Sequence, residues 1–259
     1  MFHAPATDSP AAPVVVHVHG LGVEQITLYR QETLAARAAA SLGYPVLRYH
    51  SRGCGDSAGD CASITLATLV EDARAAADEA KRRSGATRVL WLGVRFGAIV
   101  AALAAGGRSD TGGFVLWEPI AKGIDQFRGQ LRGMLFSSVA GGKKPDSTVE
   151  QLFERITRDG GVDVHGYILY RELLESCRGA DLASALAAAG DPPVQLLQIQ
   201  QRGRLAPGHA QLLEALTARG VRTGSACIAE EPGYQLMSNP AWQSDAVTRA
   251  TVEALRAMA

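Results

Sequence analysis

The sequence predicts an α/β protein whose mostly parallel, doubly wound sheet is covered by helices on both faces, in three layers. Short apolar runs that end at turn residues alternate with longer segments of helical periodicity along most of the chain. The chain has 259 residues, 47% of them hydrophobic and 20% charged, which suits a single domain with a fully buried core. We therefore expect residues 1–259 to form one domain.

The predicted elements follow from these two patterns. The strands are short, apolar and followed by turn residues, and they cover 14–19, 45–49, 89–92, 113–117, 194–199 and 223–228. The helices repeat apolar residues at helical spacing, and they cover 28–41, 62–83, 98–105 and 242–258. Because strands and helices alternate, neighbouring strands should run parallel and be joined by right-handed crossovers.

Residues 120–190 depart from this alternation. Two segments with helical periodicity, 122–136 and 149–158, flank a Gly-Gly-Lys-Lys-Pro loop at 141–145. We interpret 120–190 as a helical insertion within the single domain, following the strand at 113–117. Its position in the chain is that of a lid.

Charge and composition exclude several kinds of partner. Lys and Arg together number 26, as do Asp and Glu, so the formal net charge is zero. Because no long basic run occurs, nucleic acid and anionic membranes are disfavoured as main partners. We find no signal-peptide pattern in residues 1–13 and no transmembrane segment, and we expect a cytoplasmic protein. The cysteines lack the spacing of a metal site, and we predict neither a metal nor a cofactor.

Three glycine-containing turns follow predicted strands. They are His19-Gly20, Ser-Arg-Gly-Cys-Gly-Asp-Ser at 51–57, and Gly-Val-Arg-Phe-Gly at 93–97. In order and spacing they resemble the oxyanion loop, the Arg-Gly-His-Gly-x-Ser turn and the nucleophile elbow of the α/β-hydrolases, over nearly the whole chain. The resemblance implies a three-layer α/β-hydrolase fold. Cys54 stands where His is usual, and Arg95 stands where the nucleophilic Ser is usual.

A closer resemblance is to the hydrolase-like proteins associated with exosortase and exopolysaccharide gene clusters. Its motifs are Gly-Cys-Gly-Asp-Ser-x-Gly-Asp at 53–60, Gly-x-Arg-x-Gly at 93–97, Trp-x-Pro at 117–119 and His-Gly-Tyr at 165–167. This resemblance implies that the group itself carries Arg at the elbow. It also implies a link to exopolysaccharide production.

The acid and base positions of a Ser-His-Asp triad differ as well. The segment after the strand at 194–199 has no carboxylate, and Glu118, after the strand at 113–117, is the alternative acid. A pair between Arg95 and Glu118 is the simplest explanation for both residues. Where the triad His is usual, after the last strand, the chain has Tyr234 and Gln235. Changes at all three positions argue against Ser-His-Asp acyl transfer.

Two interpretations of Arg95 stay open. The elbow places it above the N-terminus of the following helix, where a guanidinium favours a carboxylate or phosphate. The alternative is an internal salt bridge that plugs a dead site. An oxyanion hole built from the backbone N–H groups of Leu21 and Phe96 can persist in either case, with His19 holding the loop in shape.

Cys54 is the alternative nucleophile. It lies in a glycine-rich turn near the same sheet edge, where Arg52 can supply the positive surroundings that a reactive thiol needs. The competing interpretation is that Cys54 is an inert, partly buried thiol, which is the more common role of a free cysteine.

We predict from the sequence an α/β-hydrolase-like protein that binds a small anionic or acyl-type ligand at Arg95 and the oxyanion loop. One alternative is a noncanonical esterase, thioesterase, lyase or isomerase with a rearranged site. The other is a non-catalytic scaffold in exopolysaccharide biosynthesis, with a protein partner or a second copy of the chain.

Overall fold

A seven-stranded sheet forms the centre of the computed structural model, which describes residues 1–6, 12–140, 142, 146–235, 239 and 241–258. The described residues contain β1 (Phe2–His3), β2 (Val14–Val18), β3 (Val46–Arg48), β4 (Val89–Val94), β5 (Thr111–Trp117), β6 (Gly161–Val164), β7 (Tyr167–Tyr170), β8 (Val194–Ile199) and β9 (Thr223–Ile228). Of these, β6 and β7 pair in a separate two-stranded sheet. The sheet order is β1-β3-β2-β4-β5-β8-β9, and all neighbours are parallel except β1, which pairs antiparallel with β3.

Helices cover both faces of the sheet. They are α1 (Glu24–Ser41), α2 (Leu66–Ser84), α3 (Gly97–Ala105), α4 (Gly123–Ala140), α5 (Val149–Asp159), α6 (Arg171–Cys177), α7 (Leu182–Ala188), α8 (Pro207–Ala218) and α9 (Asp245–Arg256). One hydrophobic cluster joins α1 and α9 to the sheet, and another joins α2, α3, α8 and the helices between β5 and β8 to the opposite face. This three-layer arrangement confirms the predicted fold class.

The central strands alternate in side-chain direction, as pleated strands require. In β4, Val89 and Trp91 face the layer of α2 and α3, whereas Leu90, Leu92 and Val94 face α1 and α9. The strand is apolar on both sides because helices cover both. This is why the predicted strands are continuous apolar runs.

Several boundaries differ from the prediction. α1 begins about one turn earlier than expected, because three of the four residues in its first turn, Glu24, Gln25 and Thr27, are polar. α2 begins later, because Thr65 forms a capping box with Thr68 at its N-terminus. We did not predict β1, α6, α7 or the β6–β7 hairpin. Within the described residues, no helix is both long enough and apolar enough to cross a membrane.

The segment between β5 and β8 contains α4 to α7 and the β6–β7 hairpin. It packs on the sheet, since the fully buried Phe127, Leu131 and Ile156 belong to the same cluster as α2 and α3. The predicted helices at 122–136 and 149–158 correspond to α4 and α5. Most of the predicted loop at 141–145 lies outside the described residues.

Candidate functional site

The turn between β4 and α3 sets the backbone of Arg95. Its φ is 54°, a left-handed conformation that is uncommon for any residue other than glycine. The flanking glycines make the turn possible: a Cβ on Gly97 would press into the carbonyl oxygens of Val18 and His19. The Arg95 N–H donates to the Trp117 carbonyl at 2.9 Å, which ties the turn to the end of β5.

The side chain of Arg95 is mostly buried, with 20% exposed, and its carboxylate partner is Glu24. Arg95 Nε donates to Glu24 Oε1 at 2.9 Å, and Arg95 Nη1 donates to the backbone carbonyl of Glu118 at 3.1 Å. Gln126 Nε2 donates to the second oxygen of Glu24 at 2.9 Å. The predicted side-chain pair between Arg95 and Glu118 is therefore wrong, because Glu118 offers Arg95 its carbonyl and Glu24 supplies the carboxylate.

The carboxylate of Glu118 turns toward the end of β8 instead. Its Oε1 accepts a hydrogen bond from the Ile199 N–H, and the residue is 8% exposed. Glu118 also has a positive φ, 45°, which directs its side chain and its carbonyl to different partners. Burial raises the pKa of Glu118, and the Ile199 N–H and Arg95 offset only part of that effect.

Tyr234, one of the two residues that we placed where the triad His is usual, lies beside Arg95. The Arg95 Cζ lies 5.9 Å from the centroid of the Tyr234 ring, a cation–π distance. Gln235 Nε2 lies 3.4 Å from the Tyr234 hydroxyl. Burial raises the pKa of Tyr234, which keeps the phenol protonated. Tyr234 is thus suited to covering the guanidinium, and its phenol is a poor base.

A histidine from α8 lies near the ends of β5 and β8. His209, in the first turn of α8, lies with Nδ1 2.9 Å from Gln198 Oε1 and with Nε2 3.0 Å from the Pro119 carbonyl. The imidazole of His209 is partly buried. It links α8 to the ends of β5 and β8.

The oxyanion-loop residues line a small cavity. Leu21, Phe96 and His19 all contribute to its wall, and its volume is about 20 Å³. Within the described residues, the backbone N–H groups of Leu21 and Phe96 donate to no protein acceptor. The cavity has room for about one water molecule.

Cys54 lacks the electropositive surroundings that a reactive thiol needs. Arg52 turns away to Asp72, with Arg52 Nε donating to Asp72 Oδ1 at 2.9 Å. Burial raises the pKa of the Cys54 thiol, which lowers its thiolate fraction near neutral pH. The geometry therefore favours the inert-thiol interpretation.

One buried polar cluster was missing from our sequence prediction. His17, His19 and Glu32 meet where β2 ends against α1, with His19 Nδ1 at 2.5 Å from Glu32 Oε2. His17 and Glu32 are almost fully buried, at 1% and 0% exposed. The signal was the His-x-His spacing at the strand end, which puts both rings on one side. Its partner Glu32 came from a helix whose buried face we took to be apolar.

Comparison with known proteins identifies a family and several proteins of similar fold. The family model described as serine aminopeptidase, S33, matches residues 9–190. No match was found among curated proteins. The solved structures named below are 16–17% identical to this chain, so their similarity concerns the fold alone.

Est1E of Butyrivibrio proteoclasticus, solved with ferulic acid bound, has a TM-score of 0.68 at 16% identity, covering 100% of this chain and 94% of its own. The esterase of Pyrococcus furiosus has a TM-score of 0.63 at 16% identity, covering 96% of this chain and 82% of its own. A hydrolase of Agrobacterium vitis has a TM-score of 0.58 at 17% identity, covering 99% and 91%.

Proposed function

This chain belongs to the serine aminopeptidase S33 family of α/β hydrolases, and from that premise we propose that it binds a small carboxylate-bearing or acyl-type ligand without serine-based acyl transfer. One observation carries the proposal. In the turn where the family's fold presents its nucleophile, a largely buried guanidinium, that of Arg95, holds a carboxylate.

Arg95 cannot replace serine as a nucleophile, because a guanidinium stays protonated in proteins. Burial alone would lower the pKa of Arg95, but the neighbouring Glu24 holds it above its ordinary value. The group therefore acts as a permanent cation with a planar fork, which suits a carboxylate. Tyr234, at the base position, is a protonated phenol and supplies no general base.

Glu24 acts as an internal stand-in for the ligand carboxylate. It comes from the first turn of α1 and neutralises Arg95, and Gln126 holds its other oxygen. A ligand carboxylate would displace Glu24 and take over the guanidinium. A carbonyl or carboxylate oxygen of the ligand that does not contact Arg95 would face the N–H groups of Leu21 and Phe96. Since the cavity alone takes about one water molecule, ligand entry requires Glu24 to move.

Calorimetric titration with short mono- and dicarboxylates tests the proposal. Glu24→Gln frees Arg95 and should tighten binding by about tenfold to a hundredfold, since a charge-assisted hydrogen bond contributes about 1.5–3 kcal/mol. Arg95→Gln should abolish binding. Glu150→Gln, on the exposed side of α5, is the matched control and should bind like the wild type. Equal binding by Arg95→Gln and wild type would contradict the proposal.

A fluorophosphonate probe tests the absence of serine chemistry directly. We expect no covalent labelling at any serine, and labelling of one would overturn that part of the proposal. Hydrolysis of an ester or thioester panel that is lost in Arg95→Ala would instead favour the noncanonical esterase, thioesterase, lyase or isomerase alternative.

A non-catalytic scaffold is the second candidate, in exopolysaccharide biosynthesis as the closer resemblance implies. The observation that favours it is the lack of free space at Arg95. The guanidinium is already paired with Glu24, and the adjacent cavity has a volume of about 20 Å³. If neither wild type nor Glu24→Gln binds any carboxylate, the scaffold becomes the better interpretation.

A further inference from the structure

We propose that His17, His19 and Glu32 form a binding site for one divalent transition-metal ion of the zinc type, separate from the Arg95 turn. Two imidazoles and one carboxylate are a ligand set that zinc commonly takes in proteins. Nitrogen donors favour zinc and its neighbours over magnesium or calcium.

The fold brings the three side chains together from two elements. His17 lies in β2, and His19 follows the strand two positions later, so both rings point to the side of the sheet that α1 covers. Glu32 faces them from the middle of α1. The two imidazole rings stack with centroids 4.9 Å apart, and one donor atom from each of the three residues lies within 4.8 Å of the others.

The spacing between His17 and Glu32 fits a shared ion, whereas His19 would exchange its 2.5 Å hydrogen bond with Glu32 for a bond to the metal. His17 Nε2 lies 3.6 Å from Glu32 Oε1. Zinc bonds of about 2.0–2.2 Å at a tetrahedral angle put two ligand atoms roughly 3.4 Å apart. A displacement of a few tenths of an ångström would bring the pair to that separation.

Three atoms of the cluster lack a hydrogen-bond partner among the described residues, although they are buried: His17 Nε2, His19 Nε2 and Glu32 Oε1. A buried polar atom without a partner is costly and uncommon in native proteins. Two of these atoms, His17 Nε2 and Glu32 Oε1, face each other across the 3.6 Å gap. An ion between them would satisfy both.

The carboxylate of Glu32 is 0% exposed, and a buried carboxylate needs a cation beside it. A metal ion would meet that need.

Arg48 is the group that competes with the ion. Its Nη2 lies 3.7 Å from Glu32 Oε2, a long ion-pair distance. Closer contacts hold the guanidinium elsewhere: Nη1 donates to Thr33 Oγ1 at 2.7 Å, and the Cζ stacks 4.7 Å from the Tyr29 ring centroid. Removing the charge with Arg48→Met should therefore strengthen metal binding.

The small cavity described above lies beside one ligand of the site, His19. His19 lines its wall together with Tyr49 and Ser51, and the cavity has room for about one water molecule. A zinc site with three protein ligands keeps a fourth position for water. We assign that position to a water on the cavity side of His19.

Metal analysis of the full-length, untagged protein tests the inference. After incubation with one equivalent of Zn²⁺ and dialysis, we expect about one equivalent to remain by elemental mass spectrometry, with a rise in Tm. Wild-type protein loaded with Co²⁺ should give the absorption of a tetrahedral nitrogen–oxygen site, without the thiolate charge-transfer band that Cys61 and other cysteines would produce.

Variants locate the ion. His17→Gln and Glu32→Gln should lose the retained metal. His165→Asn should keep it, because His165 is exposed and lies outside the cluster. Asparagine also tolerates the left-handed φ of 55° at position 165. If these variants fail to fold, the Co²⁺ spectrum of the wild type still decides. A wild type that retains no zinc, or a Co²⁺ spectrum dominated by thiolate ligands, would overturn the proposal.

Discussion

Arg95 joins three parts of the molecule through one side chain and one strained backbone. Its guanidinium contacts the carboxylate of Glu24 and the carbonyl of Glu118, and Tyr234 covers it. Leaving a partly buried guanidinium without its carboxylate would cost more than the pair contributes. The local network therefore explains why a cation is tolerated in a turn that the fold uses for a small nucleophile.

Glu118→Gln separates the observed network from the pair that we predicted from the sequence. The folded state raises the pKa of Glu118, so this carboxyl stabilises the fold below its unfolded pKa and loses that contribution as pH rises through the folded pKa. Gln mimics the protonated acid and does not titrate. We expect its Tm to match the wild type near pH 4 and to exceed it by a few degrees near pH 8, in thermal melts across that range.

The opposite outcome has a clear meaning. If the carboxylate of Glu118 were the partner of Arg95, Glu118→Gln would be less stable than the wild type at pH 8. Glu150→Gln, at an exposed carboxylate on α5, serves as the control and should stay closer in Tm to the wild type at pH 8 than Glu118→Gln does.

At the scale of elements, α3 can pack against β2 only because residue 97 has no side chain. A Cβ at that position meets the backbone oxygens of Val18 and His19, which cannot move without shifting the strand. Gly97→Ala should lower the free energy of unfolding by about 3 kcal/mol, measured by urea denaturation.

Gly208→Ala is the matched control for that substitution. Gly208 lies in the first turn of α8, and a Cβ there meets no atom within 4 Å. Alanine is the better helix former, so this variant should be as stable as the wild type or more stable. A Gly97→Ala variant of unchanged stability would show that the strand–helix contact is looser than described.

Helix α4 positions the loop that lines the cavity. Gln130 Nε2 donates to the Leu21 carbonyl at 2.7 Å, and Gln126 from the same helix holds Glu24. Gln130→Ala should loosen residues 20–23 and raise their amide exchange rates several-fold, measured by hydrogen–deuterium exchange. Ser137→Ala, exposed on α4, should leave that exchange unchanged. Unchanged exchange in Gln130→Ala would mean that Leu21 is held by other contacts.

At the scale of the whole molecule, the segment between β5 and β8 belongs to the main core. Gly123 N–H donates to the Ala180 carbonyl, and Leu182 N–H donates to the Ala121 carbonyl. These two hydrogen bonds join the start of the segment, before α4, to the turn before α7. Its buried side chains share a cluster with α2 and α3. The described part of this segment therefore packs on the sheet, and we expect its stability to be coupled to that of the sheet.

This coupling predicts one cooperative unfolding transition. Calorimetry should give a single peak with equal calorimetric and van't Hoff enthalpies, and tryptophan fluorescence should report the same midpoint. Leu131→Ala, in α4, should lower that one midpoint, since truncating a buried leucine costs about 2–5 kcal/mol. Two separated transitions, with only one moved by Leu131→Ala, would show that the segment unfolds by itself.

The sequence by itself determined the layered fold and the tight turn around Arg95. Both depend on short-range sterics: strand alternation and helical spacing act over a few residues, and glycines at 93 and 97 permit one close strand–helix turn. These signals are present in the chain wherever the rest of the molecule lies.

Only the tertiary structure decided which groups meet. Arg95 takes Glu24, 71 residues away, and not the nearer Glu118, because α1 brings its first turn over the elbow while the Glu118 side chain turns to β8. Glu32 likewise reaches His17 and His19 only through the packing of α1 on the sheet. Pairing of long side chains depends on the relative placement of whole elements, which local sequence patterns do not encode.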